Sequence, residues 1–368
     1  MYSTFDRFGD AHERGGLSRR QWLLSLPALM MAPRAFAQAD TTPMRVRGIN
    51  HVTLSVSDVK RSVDFYQGLF GTPVTSRQGM TTNLQIGAGP HFLGVSAAGS
   101  NPPGINHLCL GVEDFNVDRI AGILARRGIT KTDAAGNAGG GGLSGGPMRM
   151  RVRMRVRMRG PDTGGSQAGT PELYFTDPDG IVVQLQDPRY CGGGGALGNV
   201  CPPPEPAPKK GLLALSGWSH CTNFVSDAAR ANAFYQELFG LRVQAYQGPT
   251  APVLGVGGVQ FLMFAGGGRG GATPRPATIN HLCLSMENFN PDAVIKALEA
   301  YGIKPRAAAS GAPGAPGPLV HYISLRMENR GGAKEGTPEL YFTDPDGLLI
   351  QLQDVKYCGG AGILGEVC

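Results

Sequence analysis

An eleven-residue segment, "TPELYFTDPDG", occurs twice without a single change, at Thr170–Gly180 and at Thr337–Gly347. The continuations, "IVVQLQD" and "LLIQLQD", carry glutamines at the same place, Gln184 and Gln351. Two further pairs keep the same order: "SVDFYQGLFG" (Ser62–Gly71) with "ANAFYQELFG" (Ala231–Gly240), and "INHLCL" at Ile105–Leu110 and again at Ile279–Leu284. Such a chain is a tandem duplication, so one fold has to serve both halves. The run "PPPEPAPKK" (Pro202–Lys210) reads as a stiff linker between them. The expected domains are 45–201 and 212–368, joined by 202–211.

A finer repeat lies inside each half. "INH" stands at Ile49–His51, Ile105–His107 and Ile279–His281, and "WSH" (Trp218–His220) fills the fourth place. Each histidine opens an apolar alternating stretch, which predicts a strand. In the first quarter Asp58 is placed to cap a helix carrying Val63, Phe65, Tyr66, Leu69 and Phe70, with Gly71 at its end. In the fourth quarter Asn290 and Pro291 start a helix carrying Val294, Ile295 and Leu298, which ends near Gly302. "DPDG", with Pro second and Gly fourth, is a tight turn that joins "ELYFT" to "IVVQLQ" as a hairpin. Each quarter is therefore expected to be β-α-β-β-β, and the fold class α+β.

Strand parity decides which side chains can meet. His107, Cys109 and Gly111 share one face, as do Val182, Gln184 and Gln186 on the last strand, and His51, Thr53 and Ser55 in the first quarter. The apolar faces belong under the helices. The faces with His and Gln should then line an open concavity, with two histidines and one glutamine per half. Cys109 and Cys283 fall on the same face and read as small core residues.

This layout resembles the vicinal oxygen chelate superfamily, which includes glyoxalase I, the bleomycin-resistance proteins and the type I extradiol dioxygenases. "FYQELFG" is similar to that family's first helix and "LYFTDPDG" to its final hairpin. The resemblance implies tandem domains, each of two βαβββ modules forming a half-barrel cleft around one divalent metal, Fe, Mn, Zn or Ni. Carried over to this chain, the ligand positions are His51, His107 and Gln184 in one half and His220, His281 and Gln351 in the other. Tyr174 and Tyr341 match a site tyrosine of the dioxygenase signature. The implied function is an exported metal-dependent enzyme of the glyoxalase or extradiol-dioxygenase type, acting on a small oxygen-chelating substrate. The alternative is a non-catalytic small-molecule binding protein of the bleomycin-resistance type.

Three positions depart from that pattern. Family dioxygenases have Glu where Gln184 and Gln351 stand, and an amide offers the ion a dipole without charge. The carboxylate that glyoxalase I adds at the end of its first module is missing from "PHFLGVS" (Pro90–Ser96) and "VQFLMFA" (Val259–Ala265). The dioxygenases' acid–base histidine would fall in "GGSQAG" (Gly164–Gly169) or "GGAKEG" (Gly331–Gly336), and the nearest histidine, His321, occurs in one half only.

The N-terminus reads as an export signal. A twin-arginine pattern (Ser18–Leu23) precedes a short apolar run and a small-x-small site at Ala35–Ala37. The expected signal is 1–37, and the expected location is periplasmic or secreted. Seven cysteines suit an oxidising compartment. Four form matching pairs with glycine-rich interiors, which predicts disulfides Cys191–Cys201 and Cys358–Cys368. The net charge of +6 rests on six alternating arginines between Arg149 and Arg159, and without them it is 6 − 6 = 0. That strip reads as a two-faced strand with a solvated basic side, or else as a strip for an anionic polymer. Nothing else in the chain suggests nucleic acid, since it has no basic helix and no aromatic interleaving. A small molecule is the expected partner of a monomer or homodimer, with no membrane contact after signal removal.

Overall fold

The computed structural model describes residues 43–131, 153–266, 276–307 and 317–368. The export signal and Arg149 and Arg151 lie outside them. The first half runs β1 (Val46–Val56), α1 (Val59–Phe70), β2 (Val74–Gln78), β3 (Thr81–Gln85) and β4 (Phe92–Ala97). It continues with β5 (Gly104–Val112), α2 (Val117–Arg126), β6 (Thr130–Lys131), β7 (Arg153–Arg159), β8 (Thr170–Thr176) and β9 (Val182–Gln186). The second half repeats the order. Its first module is β10 (Gly217–Val225), α3 (Ala228–Phe239), β11 (Arg242–Tyr246), β12 (Pro252–Gly257) and β13 (Gln260–Gly266). Its second is β14 (Thr278–Met286), α4 (Pro291–Ala300), β15 (Lys304–Pro305), β16 (Val320–Arg326), β17 (Thr337–Thr343) and β18 (Leu349–Asp354). The second and fourth quarters thus carry one strand more than β-α-β-β-β, the two-residue β6 and β15.

The helices begin and end where the sequence places them. Asp58 accepts the Arg61 N–H ahead of α1, and Gly71 closes that helix in the left-handed region at φ 67°. Asn290 caps α4 by accepting the Ala293 N–H. Among the described residues each half forms one nine-stranded sheet, ordered β2-β3-β4-β1-β5-β9-β8-β7-β6 in the first and equivalently in the second. The strands that open the two modules, β1 and β5, lie side by side and antiparallel at the centre. The apolar faces of both sheets and the buried faces of the helices merge into one continuous core.

The halves are locked together by the repeated segment. Asp177 Oδ1 accepts the backbone N–H groups of Asp179 and Ile181 within its own turn. Its Oδ2 accepts the hydroxyl of Tyr235 in α3 at 3.2 Å. The reciprocal contact joins Tyr66 of α1 to Asp344 at 3.0 Å. Asp179 takes Ser226 and Arg230 across the boundary, and Asp346 takes Ser57 and Arg61. Each copy of "DPDG" is therefore a turn in its own half and a clasp on the other, which gives every one of its polar groups a reason to stay. Trp218 fits the same pattern: its indole N–H donates to the Asn50 carbonyl of the first half. The backbones also approach closely at Gly257, where a Cβ would meet the Arg47 carbonyl. Glu205, in the proline-rich segment, exchanges backbone hydrogen bonds with Val74 and so docks that segment on the β2 edge.

Candidate functional site

The four site histidines share a local device. In the β1–β5 pairing the register skips Asn50 on one strand and Asn106 on the other, so each forms a bulge just before its histidine. Ser219 and Asn280 are skipped in the same way in the second half. A bulge turns neighbouring side chains towards one side, and here it brings the preceding polar group against the imidazole. Asn50 Oδ1 stands 2.8 Å from His51 Nδ1, and Asn106 Oδ1 stands 2.8 Å from His107 Nδ1. The Asn50 amide nitrogen donates to the carbonyls of Tyr190 and Pro188, which fixes Oδ1 as the acceptor. Nδ1 of His51 therefore carries the proton, and in a neutral ring Nε2 is left with its lone pair. His281 has the same asparagine contact, from Asn280, whereas His220 has the hydroxyl of Ser219, which can donate or accept.

The predicted triplets come together. His51 Nε2 is 3.0 Å from Gln184 Oε1, and the rings of His51 and His107 meet edge to face at 5.5 Å. In the second half His220 Nε2 and His281 Nε2 are 3.3 Å apart. Gln351 approaches both of those rings without meeting hydrogen-bond geometry, and its two amide atoms are buried without partners. His107 Nε2 and Gln184 Nε2 are likewise buried and unpartnered. Burial, aided by the neighbouring imidazole, holds His51 and His220 well below the usual histidine range, and burial takes His107 and His281 down to about 4. All four rings are therefore neutral at neutral pH.

The His and Gln side chains form the buried floor of the expected concavity, while Tyr174 and Arg155 beside it are partly exposed and Arg157 is exposed. His51, Gln184, His220 and Gln351 are no more than 2% exposed. The residue before each disulfide packs beside the cluster: Tyr190 stacks near His51 at 5.6 Å and Tyr357 lies near His220 at 5.6 Å. His51 also stacks on Phe92 at 4.3 Å. Cys191–Cys201 and Cys358–Cys368 are bonded, each with Cα atoms 6.3 Å apart, and Ser76 of β2 donates to the Cys191 carbonyl. Cys109 and Cys283 are buried, as small core residues should be.

Beneath each tyrosine lies a buried ion pair that the sequence reading missed. Arg159 Nε donates to Glu172 Oε1 at 2.9 Å, and the guanidinium also reaches the carbonyls of Thr163 and Gly193. Glu172 further accepts Tyr190 OH at 2.7 Å and Tyr174 OH at 3.2 Å. Arg326, Glu339, Tyr357 and Tyr341 repeat the arrangement. The sequence held its signal: a glutamate inside the invariant segment, and a tyrosine before each paired cysteine, in "RYC" and "KYC". The solvated reading of the arginine strip is thereby corrected for Arg159, while Arg157 keeps 47% of its side chain exposed. Arg159 is 1% exposed, and the register pairs Arg155 with Tyr174 and Arg157 with Glu172, so the arginine face of β7 is the cleft face.

Tyr174 and Tyr341 stand beside the clusters, edge to face with His107 and His281 at 5.4 Å each. Burial pushes both phenols up, so they stay protonated and can donate. His321 points away from the cleft, towards Glu299 of α4 at 3.2 Å. No side chain fits at Gly165, because a Cβ there would lie 1.9 Å from the Arg159 carbonyl. The family model for the Glyoxalase/Bleomycin resistance protein/Dioxygenase superfamily matches residues 48–185 and 217–352.

The chain belongs to this superfamily. Its sheets align with the 2,3-dioxygenase LapB from Pseudomonas sp. KL28 at a TM-score of 0.54 and 13% identity, over 84% of this chain and 93% of that one. The Mn(II)-bound glyoxalase from Novosphingobium aromaticivorans aligns at 0.52 and 15%, over 84% and 82%. Homoprotocatechuate 2,3-dioxygenase from Arthrobacter globiformis aligns at 0.51 and 15%, over 85% and 82%. At these identities the likeness is one of fold. Among the described residues no helix is long and apolar enough to cross a membrane.

Proposed function

We propose that the protein is an exported, divalent-cation-dependent enzyme of the glyoxalase or extradiol-dioxygenase type, acting on a small substrate with neighbouring oxygens. The supporting observation is that the lone pairs of two neutral imidazoles, oriented by Asn50 and Asn106, converge beside the Gln184 carbonyl. Acceptors facing one another in a dry site are relieved by a cation between them. The 3.3 Å separation of His220 and His281 Nε2 is also the size that two imidazoles about 2.1 Å from one ion subtend. Among the described residues no group of three or more His, Cys, Asp or Glu side chains is placed to hold a metal, so each set depends on its glutamine. With neutral donors the fit favours ions that imidazole suits, Zn, Ni and Fe, over hard, charge-seeking ones.

His51, His107 and Gln184 would hold the ion in the first half, and His220, His281 and Gln351 in the second. The bound ion supplies Lewis acidity to two adjacent substrate oxygens. The chain supplies the rest. Phe92 and Tyr190 pack against the His51 ring and leave it 2% exposed. Tyr174, protonated beside His107, donates to an oxygen on which negative charge develops.

A metal-free binding protein is the second reading, favoured by the absence of a carboxylate ligand. In it the Gln184 amide turns its NH2 towards the imidazoles. Elemental analysis of protein folded with iron, manganese, zinc and nickel supplied separates the two. The enzyme reading expects at least about one equivalent of metal, lost in His107→Ala with His281→Ala, and an affinity raised at least about tenfold by Gln184→Glu, which adds the missing charge. Metal-free protein, unchanged by Gln184→Glu, leaves the binder.

A further inference from the structure

The two halves treat equivalent sheet edges differently. β2 and β11 are the outer strands of their sheets, and Val74 and Val243 occupy equivalent places on them, paired inwards with Leu84 and Leu254. In the first half this edge is covered. Val74 and Glu205 exchange both backbone hydrogen bonds at 2.8 Å in an antiparallel bridge, and Arg77 pairs with the Glu205 carboxylate. Pro206 and Pro208 lie along α1 beside Val63. Val74 is left 5% exposed.

β11 has no such cover among the described residues. Val243 is 37% exposed, and Tyr246, in the place of Arg77, is 54% exposed. By the shared register the N–H and C=O that Val74 gives to Glu205 face outwards at Val243, where no described backbone group meets them. An edge strand with free backbone groups is a template for one more strand. Asn232, which takes in α3 the place of Val63 in α1, also keeps a buried side-chain oxygen without a partner.

The charge around this edge selects its occupant. At the start of β11 a groove of about 500 Å³ is lined by Arg45, Arg47, Arg242 and Glu113. Glu113 is taken by Arg47, whereas Arg45 and Arg242 are exposed and have no carboxylate partner among the described residues. A second copy pairing through the same edge would set arginine against arginine. An acidic strand would neutralise both.

We propose that β11 is a docking edge for an extended, proline-flanked acidic segment of a partner protein. The segment runs antiparallel to β11, as Glu205 does to Val74, and exchanges two backbone hydrogen bonds with Val243. Its carboxylates meet Arg242 and Arg45.

The probe is a fluorescein-labelled peptide, PPPEEPAP, which is the segment docked on β2 with one glutamate added to reach Arg242. Its anisotropy is followed as the protein is added at low salt. Binding should saturate below about 1 mM. Changing both peptide glutamates to glutamine should weaken it about tenfold, and so should Arg45→Glu with Arg242→Glu, two exposed sites whose substitution spares the core. Salt at about 0.5 M should weaken it by a similar factor. Val243→Pro removes the edge N–H and should cost at least about tenfold. Arg77→Glu should change binding less than about twofold, because that arginine serves the other edge. Absence of saturation by about 1 mM overturns the proposal. Equal binding of a scrambled peptide of the same charge also overturns it, because charge alone would then suffice. Loss in Arg77→Glu with none in the Arg45 and Arg242 variant overturns it too, since the peptide would then be exchanging with the segment on β2.

Discussion

The clasps between the halves make stability depend on pH in a way that can be calculated. Asp177 and Asp344 are each raised from 3.8 to about 6, because burial penalises the carboxylate more than their backbone and tyrosine hydrogen bonds favour it. The difference, 6 − 3.8, is about 2.2 pH units, or about 3 kcal/mol per carboxyl at about 1.36 kcal/mol per unit. The sign follows from linkage: a raised pKa means that the folded chain holds the proton more tightly. The contribution is full below about pH 3.8 and is lost as pH rises through about 6. Integrated between about pH 4.5 and pH 7.5, each carboxyl loses about 2 kcal/mol, and both together about 4 kcal/mol. Asparagine keeps the acceptor for the two turn N–H groups and can donate to the tyrosine oxygen, but it does not titrate. Asp177→Asn with Asp344→Asn should therefore gain about 4 kcal/mol on the wild type over that span, and each single variant about half. Urea unfolding followed by circular dichroism at stepped pH gives the difference curve. The four site histidines are common to both proteins, so their contribution cancels. A curve flat to within about 1 kcal/mol, or one that slopes the other way, would refute the burial of these carboxyls at the interface.

Two further outcomes test the covers of the clefts. Cys191→Ser with Cys201→Ser should lower stability by about 2–3 kcal/mol, the closure entropy of a short loop, and quench Tyr190 protection in hydrogen exchange before the global transition. Arg159→Met should cost about 3–5 kcal/mol in urea unfolding because it strands the buried Glu172 charge, and adding Glu172→Gln should restore most of it; a double variant no better than the single would show that the pair is not the source.

Much of this molecule was legible from short-range pattern. Alternation placed His51, His107 and Gln184 on one face and the aliphatic residues on the other, since the two-residue period of a strand depends on nothing beyond it. Asp58, Gly71 and Asn290 marked helix ends because capping is satisfied within one turn. The duplication was written in the text itself. What parity could not supply is how separate strands register. The bulges at Asn50, Asn106, Ser219 and Asn280 exist only in the pairing of β1 with β5 and β10 with β14, yet they decide which ring nitrogens keep a lone pair. Arg159, read as one more solvated arginine, is buried because β8 and the disulfide loop, distant in sequence, bring Glu172 and the Gly193 carbonyl to it. The reason for the unchanged "DPDG" likewise lies in Tyr66 and Tyr235, each on the opposite half. Local periodicity thus determined which residues face the cleft. The long-range fold alone decided how deeply the cluster is buried and how it is charged, because a buried polar group takes its state from partners the chain delivers from elsewhere.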